Sequence, residues 1–145
     1  MRLMLMRHGH AEGHGMDPSL AEHGVQAVQR TLEAPWPEPA RIVHSPLLRA
    51  AQTAALLSAR WPAAERVVDA AFAPEMPVDV AARRLLELGE DCTTVALVSH
   101  LPLLPALCHW FTDARREFEP ADAVLLEADD ALAWRGAFVI SGEPR

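Results

Sequence analysis

The sequence of 145 residues contains no lysine, only two cysteines and no hydrophobic run of membrane length. The absence of lysine excludes Schiff-base chemistry and a P-loop lysine, since all 13 basic residues are arginines. Cys92 and Cys108 are too few and too isolated for a disulfide framework or a zinc site. The apolar run over residues 3–6 is too short for a signal peptide or a membrane helix, so we expect a cytoplasmic protein.

Positive charge is also scarce, because the formal net charge is -7 at pH 7. A general nucleic-acid binder normally carries a basic face, so this class of function is disfavoured. Half of the residues are hydrophobic, which suffices for the core of one compact domain. We therefore expect a single domain over residues 1–145, with neither a nucleic-acid nor a membrane partner.

Short apolar segments alternate with segments of helical spacing along the chain. Strands are predicted at residues 2–6, 41–44, 66–69 and 93–99, and helices at residues 17–33, 45–60, 78–88 and from after His100 to about residue 111. In the second helix, Ser45 is predicted to cap the start and Pro46 to occupy the first turn. The segment 34–39 has proline at every second position, which predicts a surface connector.

This alternation predicts an α/β fold, a three-layer α/β/α sandwich around a mostly parallel central sheet. A hairpin of residues 123–127 and 131–139, turning at Asp129-Asp130, forms the expected antiparallel end. Polar residues follow three of the predicted parallel strands: His8, Arg49 and His100. Because the carboxyl ends of parallel strands lie at one edge of a sheet, we expect these three side chains to meet.

The residue types at that edge suit a phosphoryl group. Arginines bind a phosphoryl dianion through planar, bidentate donors, and Arg7 and Arg49 supply two of them. Nearby cations oppose protonation of a histidine, and a neutral imidazole can attack phosphorus to form a phosphohistidine intermediate. Fixed cations are the main catalytic resource for such a transfer, so no metal or other cofactor is expected.

Three ordered motifs resemble those of the histidine phosphatase (phosphoglycerate mutase-like) superfamily, and within it the short bacterial phosphohistidine phosphatases of the SixA type. They are Arg7-His8-Gly9, Ser45-Pro46-x-x-Arg49-Ala50-x-Gln52-Thr53 and Val98-Ser99-His100-x-Pro102. The resemblance spans most of the chain and implies the phosphoglycerate mutase-like fold. It departs from the family pattern at His10 and at residues 20–24, which read Leu-Ala-Glu-His-Gly.

The resemblance also implies roles for five residues. His8 resembles the phosphoryl-accepting nucleophile, Arg7 and Arg49 the phosphate-clamping arginines, and His100 the second histidine that contacts the phosphate. Glu75, between two prolines, is the best candidate for the acid that protonates the leaving group. Phosphohistidine has a labile P–N bond, so its hydrolysis could proceed without Glu75, whereas a sugar phosphate would need a proton donor.

Two groups of residues could instead indicate a metal site or a thiol nucleophile. The cluster of His8, His10, His14 and His23 could suggest a metal site, but its spacing matches no tetrahedral pattern. Cys108 lacks the arginine that follows the nucleophile of a tyrosine-phosphatase loop, and a cysteine facing a core is inert.

The sequence thus predicts a metal-independent phosphatase that works through a phosphohistidine on His8. Its expected substrate is phosphohistidine on a partner protein, because a short chain leaves the site open to a protein surface. Mutase activity is disfavoured, since 145 residues leave little chain for a lid. The alternatives are a small-molecule phosphomonoesterase acting on a sugar or nucleotide-like phosphate, and a catalytically idle module that binds phosphorylated proteins.

Overall fold

A six-stranded sheet forms the middle layer of the computed structural model, which describes residues 1–13, 15–129 and 133–141. The strands are β1 (Arg2–Arg7), β2 (Arg41–His44), β3 (Glu65–Val68), β4 (Thr94–Ser99), β5 (Ala123–Ala128) and β6 (Trp134–Ile140). The helices are α1 (Glu22–Leu32), α2 (Leu48–Arg60), α3 (Val78–Leu88) and α4 (Leu103–Thr112), with a 3-10 turn at Ala70–Phe72. Among the described residues, no helix is both long enough and apolar enough to cross a membrane.

The order of the strands across the sheet is β3-β2-β4-β1-β5-β6. The first four are mutually parallel, while β5 and β6 form the antiparallel end. The predicted mixed sheet and hairpin are confirmed, although Asp130 of the hairpin turn lies outside the described residues. The strands β2, β4 and β1 lie side by side at the centre, so their carboxyl ends form one continuous edge.

Helices cover both faces of this sheet, which confirms the three-layer sandwich. On one face α1 and α2 pack against alternate residues of the central strands, including Met4, Ile42 and Val98. On the other face α3 and α4 pack against the intervening residues, including Leu5 and Leu97. Every residue of β4 is buried, as a strand covered on both faces requires.

Helix α1 begins at Glu22 rather than at Asp17, so the predicted start is wrong by five residues. The backbone N–H of Leu20 donates to Oε1 of Gln52 at 2.7 Å, and that of Ala21 donates to the carbonyl of His10 at 3.0 Å. Because these two N–H groups have partners outside the helix, the segment before Glu22 is a loop.

Helix α2 begins at Leu48, three residues after the predicted serine cap. The hydroxyl of Ser45 hydrogen-bonds the ring of His100 instead of capping the helix. The N–H of Leu48 donates to the carboxylate of Asp17, at 2.9 and 3.2 Å from its two oxygens. A residue 31 positions upstream therefore satisfies the start of the helix.

The proline-rich connector is not wholly a surface segment, since Trp36 is only 5% exposed. Its indole Nε1 donates to the carbonyl of Thr31 at 2.8 Å, and its ring packs into the core beneath α1 and α2. Burying an indole whose N–H has a partner stabilises the fold. The connector is therefore partly buried at Trp36, although its prolines predicted a surface segment.

Candidate active site

Strand pairing brings the ends of β1, β4 and β2 together. Arg7 pairs with Ser99 in the sheet, and the N–H of His8 donates to the carbonyl of Ser99 at 3.2 Å. On the other side of β4, the N–H of Ser45 donates to the carbonyl of Val98 at 3.3 Å. The rings of His8 and His100 consequently lie with their centroids 4.9 Å apart.

His8 is buried and held by hydrogen bonds at both ring nitrogens. Its Nδ1 lies 2.8 Å from the carbonyl oxygen of Gly9, which can only accept, so Nδ1 carries the ring proton. Its Nε2 lies 3.2 Å from Nε of Arg49, which can only donate, so Nε2 presents a lone pair. Burial, together with the charges of Arg49 and Arg7, lowers the pKa of His8 to about 4. The imidazole is therefore neutral at pH 7.

Arg49 lies in the first turn of α2 and Arg7 is the last residue of β1. The NH1 of Arg7 donates to the carbonyl of Phe118 at 2.8 Å, while its buried Nε has no partner among the described residues. The NH1 of Arg49 lies 3.9 Å from the carboxylate of Asp17. Both guanidinium groups are anchored on one side and retain donors that an anion could use.

His100 follows β4 directly and is 1% exposed. Burial lowers the pKa of His100 to about 3, with further contributions from His8, Arg49 and Arg7. Its Nε2 hydrogen-bonds the hydroxyl of Ser45, while its buried Nδ1 has no partner in the part of the chain that the structure describes.

These four side chains line a single pocket of about 510 Å³. Its floor is basic, and its walls are largely apolar, formed by three prolines, an alanine and a leucine. The full lining is Arg7, His8, His10, Ala11, Pro18, Arg49, Pro74, His100, Leu101 and Pro120. Arg7, His8, Arg49 and His100 are thus brought together as the strand order predicts, and the pocket suits one anionic group.

Glu75, the fifth predicted site residue, is exposed and does not line this pocket. Its neighbour Pro74 does, because the hydroxyl of Ser99 donates to the carbonyl of Phe72 at 2.7 Å and holds the preceding turn against the site. Glu75 is therefore not brought together with Arg7, His8, Arg49 and His100.

The turn between α4 and β5 is a part of the site that the sequence analysis missed. The N–H of Ala121 donates to the carbonyl of His8 at 3.1 Å, and the N–H of Arg7 donates to the carbonyl of Asp122 at 3.0 Å. Ala121 has a positive φ of 68°, and the buried carboxylate of Asp122 accepts from the N–H of Glu119 at 2.9 Å. No motif marks this turn, because its contribution comes from backbone groups that any sequence could supply.

Two glycines allow the loop that follows His8 to lie against α1. A Cβ at Gly24 would lie 2.2 Å from the carbonyl oxygen of His10, and one at Gly9 would lie 2.8 Å from that of Gly24. The N–H of Gly9 donates to the hydroxyl of Thr53 at 3.1 Å, which ties the same loop to α2. The close approach therefore requires glycine at both positions.

The described histidines outside the floor do not assemble a metal site. The rings of His10 and His23 stack with centroids 4.6 Å apart, and His14 lies outside the described residues. Within residues 1–13, 15–129 and 133–141, no group of three or more His, Cys, Asp or Glu side chains is placed to hold a metal ion. Cys108 is fully buried in α4, and burial raises the pKa of its thiol to about 11, so it is a poor nucleophile.

Comparison with known proteins agrees with this geometry. Residues 3–73 match the family model of the histidine phosphatase superfamily (branch 1). This segment, just under half of the chain, is therefore similar to the histidine phosphatase superfamily. The matched residues include Arg7, His8 and Arg49, whereas His100 lies beyond them. No curated protein matches the sequence.

Solved structures share the histidine phosphatase fold at low sequence identity. The protein histidine phosphatase SixA complexed with tungstate is 22% identical, with a TM-score of 0.84 over 98% of this chain and 97% of that one. A putative phosphohistidine phosphatase SixA from Nakamurella multipartitia is also 22% identical, with a TM-score of 0.81 over 96% and 94% of the chains. A mycobacterial glucosyl-3-phosphoglycerate phosphatase is 21% identical, with a TM-score of 0.70 over 94% and 96%. The likeness spans nearly the whole of each chain and establishes the fold.

Proposed function

We propose that this histidine phosphatase hydrolyses phosphohistidine on a partner protein through a covalent phosphohistidine on His8. The observation that carries the proposal is the hydrogen bonding of the His8 ring, which leaves Nε2 with a lone pair beside a guanidinium. The family-model match over residues 3–73 and the fold shared with phosphatases support a phosphatase hydrolase. The choice of substrate rests on the pocket of this chain.

In the first step, Nε2 of His8 attacks phosphorus while the P–N bond of the substrate breaks, and the substrate imidazole, protonated on its other nitrogen, departs as a neutral ring. Arg7, Arg49 and His100 surround the phosphoryl oxygens and stabilise their charge. The proton on Nδ1 remains bonded to the carbonyl of Gly9, so the phosphorylated ring is cationic and a good leaving group. In the second step, water attacks phosphorus, the N–P bond breaks, and phosphate and neutral His8 are released.

The pocket walls favour a phosphoramidate over a sugar phosphate. Among the described residues, the pocket lining contains no carboxylate, amide or hydroxyl side chain that could bind sugar hydroxyls. An alkoxide leaving group needs a proton donor in the site, whereas the imidazole of phosphohistidine can depart as a neutral ring when its other nitrogen already carries a proton. The apolar wall of Pro18, Pro74, Pro120 and Leu101 suits the flat ring of such a leaving group.

The proposal also includes what the sequence predicts about the domain, the partner and the cofactor. One domain over residues 1–145 carries the activity, its partner is a phosphorylated protein, and no metal or cofactor takes part. Neither a nucleic acid nor a membrane enters the reaction, and we propose that it takes place in the cytoplasm. A small phosphorylated molecule is the alternative substrate.

The test is phosphate release by the purified chain from a phosphohistidine-bearing protein and from p-nitrophenyl phosphate, with a chelator present. We expect turnover of phosphohistidine that is lost in His8→Ala and retained in His109→Ala, which changes an exposed histidine of α4 outside the pocket lining. Preference for the ester would assign the chain to the small-molecule phosphatases. Loss of activity with the chelator would contradict metal independence, and binding without turnover would indicate an idle phosphate reader.

A further inference from the structure

Ser45 is fully buried, and its hydroxyl lies between two groups of the site. The N–H of Leu47 donates to Oγ at 3.4 Å, and Oγ also hydrogen-bonds Nε2 of His100. A buried hydroxyl hydrogen needs an acceptor, and among the described residues Nε2 of His100 is the one within reach. The hydroxyl of Ser45 therefore donates to Nε2.

This direction of donation determines where His100 carries its proton. The ring is neutral at pH 7, because burial and the neighbouring cations hold its pKa near 3. A neutral imidazole has one N–H, so an Nε2 that accepts from Ser45 leaves the proton on Nδ1. That Nδ1 is buried and has no partner among the described residues. A buried donor without an acceptor is rare in folded proteins, and a phosphoryl oxygen would supply the missing acceptor.

We propose that Ser45 is a positioning residue that sets the tautomer of His100, so that Nδ1–H donates to the phosphoryl group. The inference rests on the proposed function, since it assumes that the pocket receives a phosphoryl group. His8 and His100 would then carry the same tautomer in opposite roles. The unprotonated Nε2 of His8 would attack phosphorus, whereas the N–H of the neutral His100 ring would donate to a phosphoryl oxygen. The serine of the second motif, predicted to cap a helix, acts on the histidine of the third.

The tautomers can be read directly by ¹⁵N NMR of the full labelled chain at pH 7, because two-bond couplings distinguish a protonated from a bare ring nitrogen. We expect protonated Nδ1 and bare Nε2 for His100 in the wild-type protein. In Ser45→Ala, the Nε2–H form should become populated, and affinity for tungstate, used as a phosphoryl mimic, should fall roughly tenfold, as expected on losing a hydrogen bond to an anion. Ser45→Thr retains a hydroxyl and should restore much of both.

Ser58→Ala is the matched control, because Ser58 lies in α2 and its buried hydroxyl has no hydrogen-bond partner. It should leave the tautomer and the tungstate affinity unchanged. Wild-type His100 protonated on Nε2 would overturn the inference without any variant, as would a Ser45→Ala protein with unchanged tautomer and affinity. A wild-type protein that has the expected tautomer and binds tungstate, yet releases no phosphate, would overturn the proposed hydrolysis alone.

Discussion

Nε of Arg49 donates a hydrogen bond to Nε2 of His8, and the two atoms lie 3.2 Å apart. Nε2 is the atom with which a histidine nucleophile would attack phosphorus. Burial is the main cause of the low pKa of His8, and Arg49 lowers it further, because protonating that nitrogen would place two donors against each other. The same guanidinium lies where an incoming phosphoryl group would need positive charge. In the proposed mechanism Arg49 would therefore have two effects, one on His8 before the reaction and one on the phosphoryl group during it.

This pairing predicts an acid limb in the pH dependence of kcat/KM near pH 4. Protonated His8 has no lone pair to donate, so activity should fall as the pH drops through its lowered pKa and stay level above it. In Arg49→Ala, one charge that lowers this pKa is absent, and the limb should move toward 6.5. The measurement is a pH profile with the substrate's own ionisation determined separately.

Arg60→Ala serves as the control for that shift, since Arg60 ends the same helix and lies over the ring of Trp61 instead of the pocket. Its limb should coincide with that of the wild type. A wild-type limb near 6.5 would contradict the account of His8.

The same lowered pKa values predict a stability that depends on pH. The unfolded chain binds protons at these histidines near pH 6.5, whereas folded His8 and His100 bind them only near 4 and 3. The free energy of unfolding should therefore decrease as the pH falls below 6.5, by up to about 1.4 kcal/mol per pH unit for each histidine. Denaturant unfolding at pH 5 to 7 should show a smaller decrease in His8→Asn and His100→Asn. The exposed His109→Asn should keep the wild-type slope, and equal slopes in all proteins would refute the prediction.

Glu75→Gln should separate the two substrate classes. Because Glu75 is exposed and outside the pocket lining, we expect phosphohistidine turnover to change by less than about threefold, since its leaving group needs no general acid. Hydrolysis of an alkyl phosphate, if it occurs, should depend more strongly on this carboxyl. Asp79→Asn, in the first turn of α3, is the control. A large loss with phosphohistidine would place Glu75 in the chemistry.

Asp17→Ala should destabilise the protein by about 1 kcal/mol, as the loss of a helix cap typically does. The carboxylate of Asp17 accepts a hydrogen bond from the N–H of Leu48. It thereby joins the loop that follows His8 to the start of α2. Asp17→Asn retains an acceptor oxygen and should recover part of the loss. Thermal or denaturant unfolding measures both, with the exposed Glu38→Ala as a control expected to be neutral. No loss in Asp17→Ala would mean that the cap contributes nothing.

The sequence predicted the layers, the mixed sheet and the meeting of His8, Arg49 and His100, because each depends on a local pattern. Apolar runs mark the buried strands, and polar residues directly after them must lie at one edge. Helix α3 was predicted at its observed bounds, since its apolar residues repeat with helical spacing and Pro77 precedes it.

The features that sequence reasoning got wrong or missed depend on partners distant in the chain. Ser45 resembles a helix cap, but a histidine 55 residues away binds its hydroxyl. The start of α2 is capped by Asp17, which local rules assign to another helix. Trp36 is buried because its indole packs against core residues of α1 and α2, which lie elsewhere in the chain. The turn at residues 118–122 supports the site through backbone groups, which leave no signature in the residue types.

The central claim is tested most directly by trapping the covalent intermediate. The chain is mixed with a protein carrying ³²P-phosphohistidine, quenched within the first turnover, and the labelled residue is mapped. We predict an acid-labile label on His8 that is absent from His8→Ala and present in the control His109→Ala. Phosphate release without a label on His8, or a label on any other residue, would contradict the account.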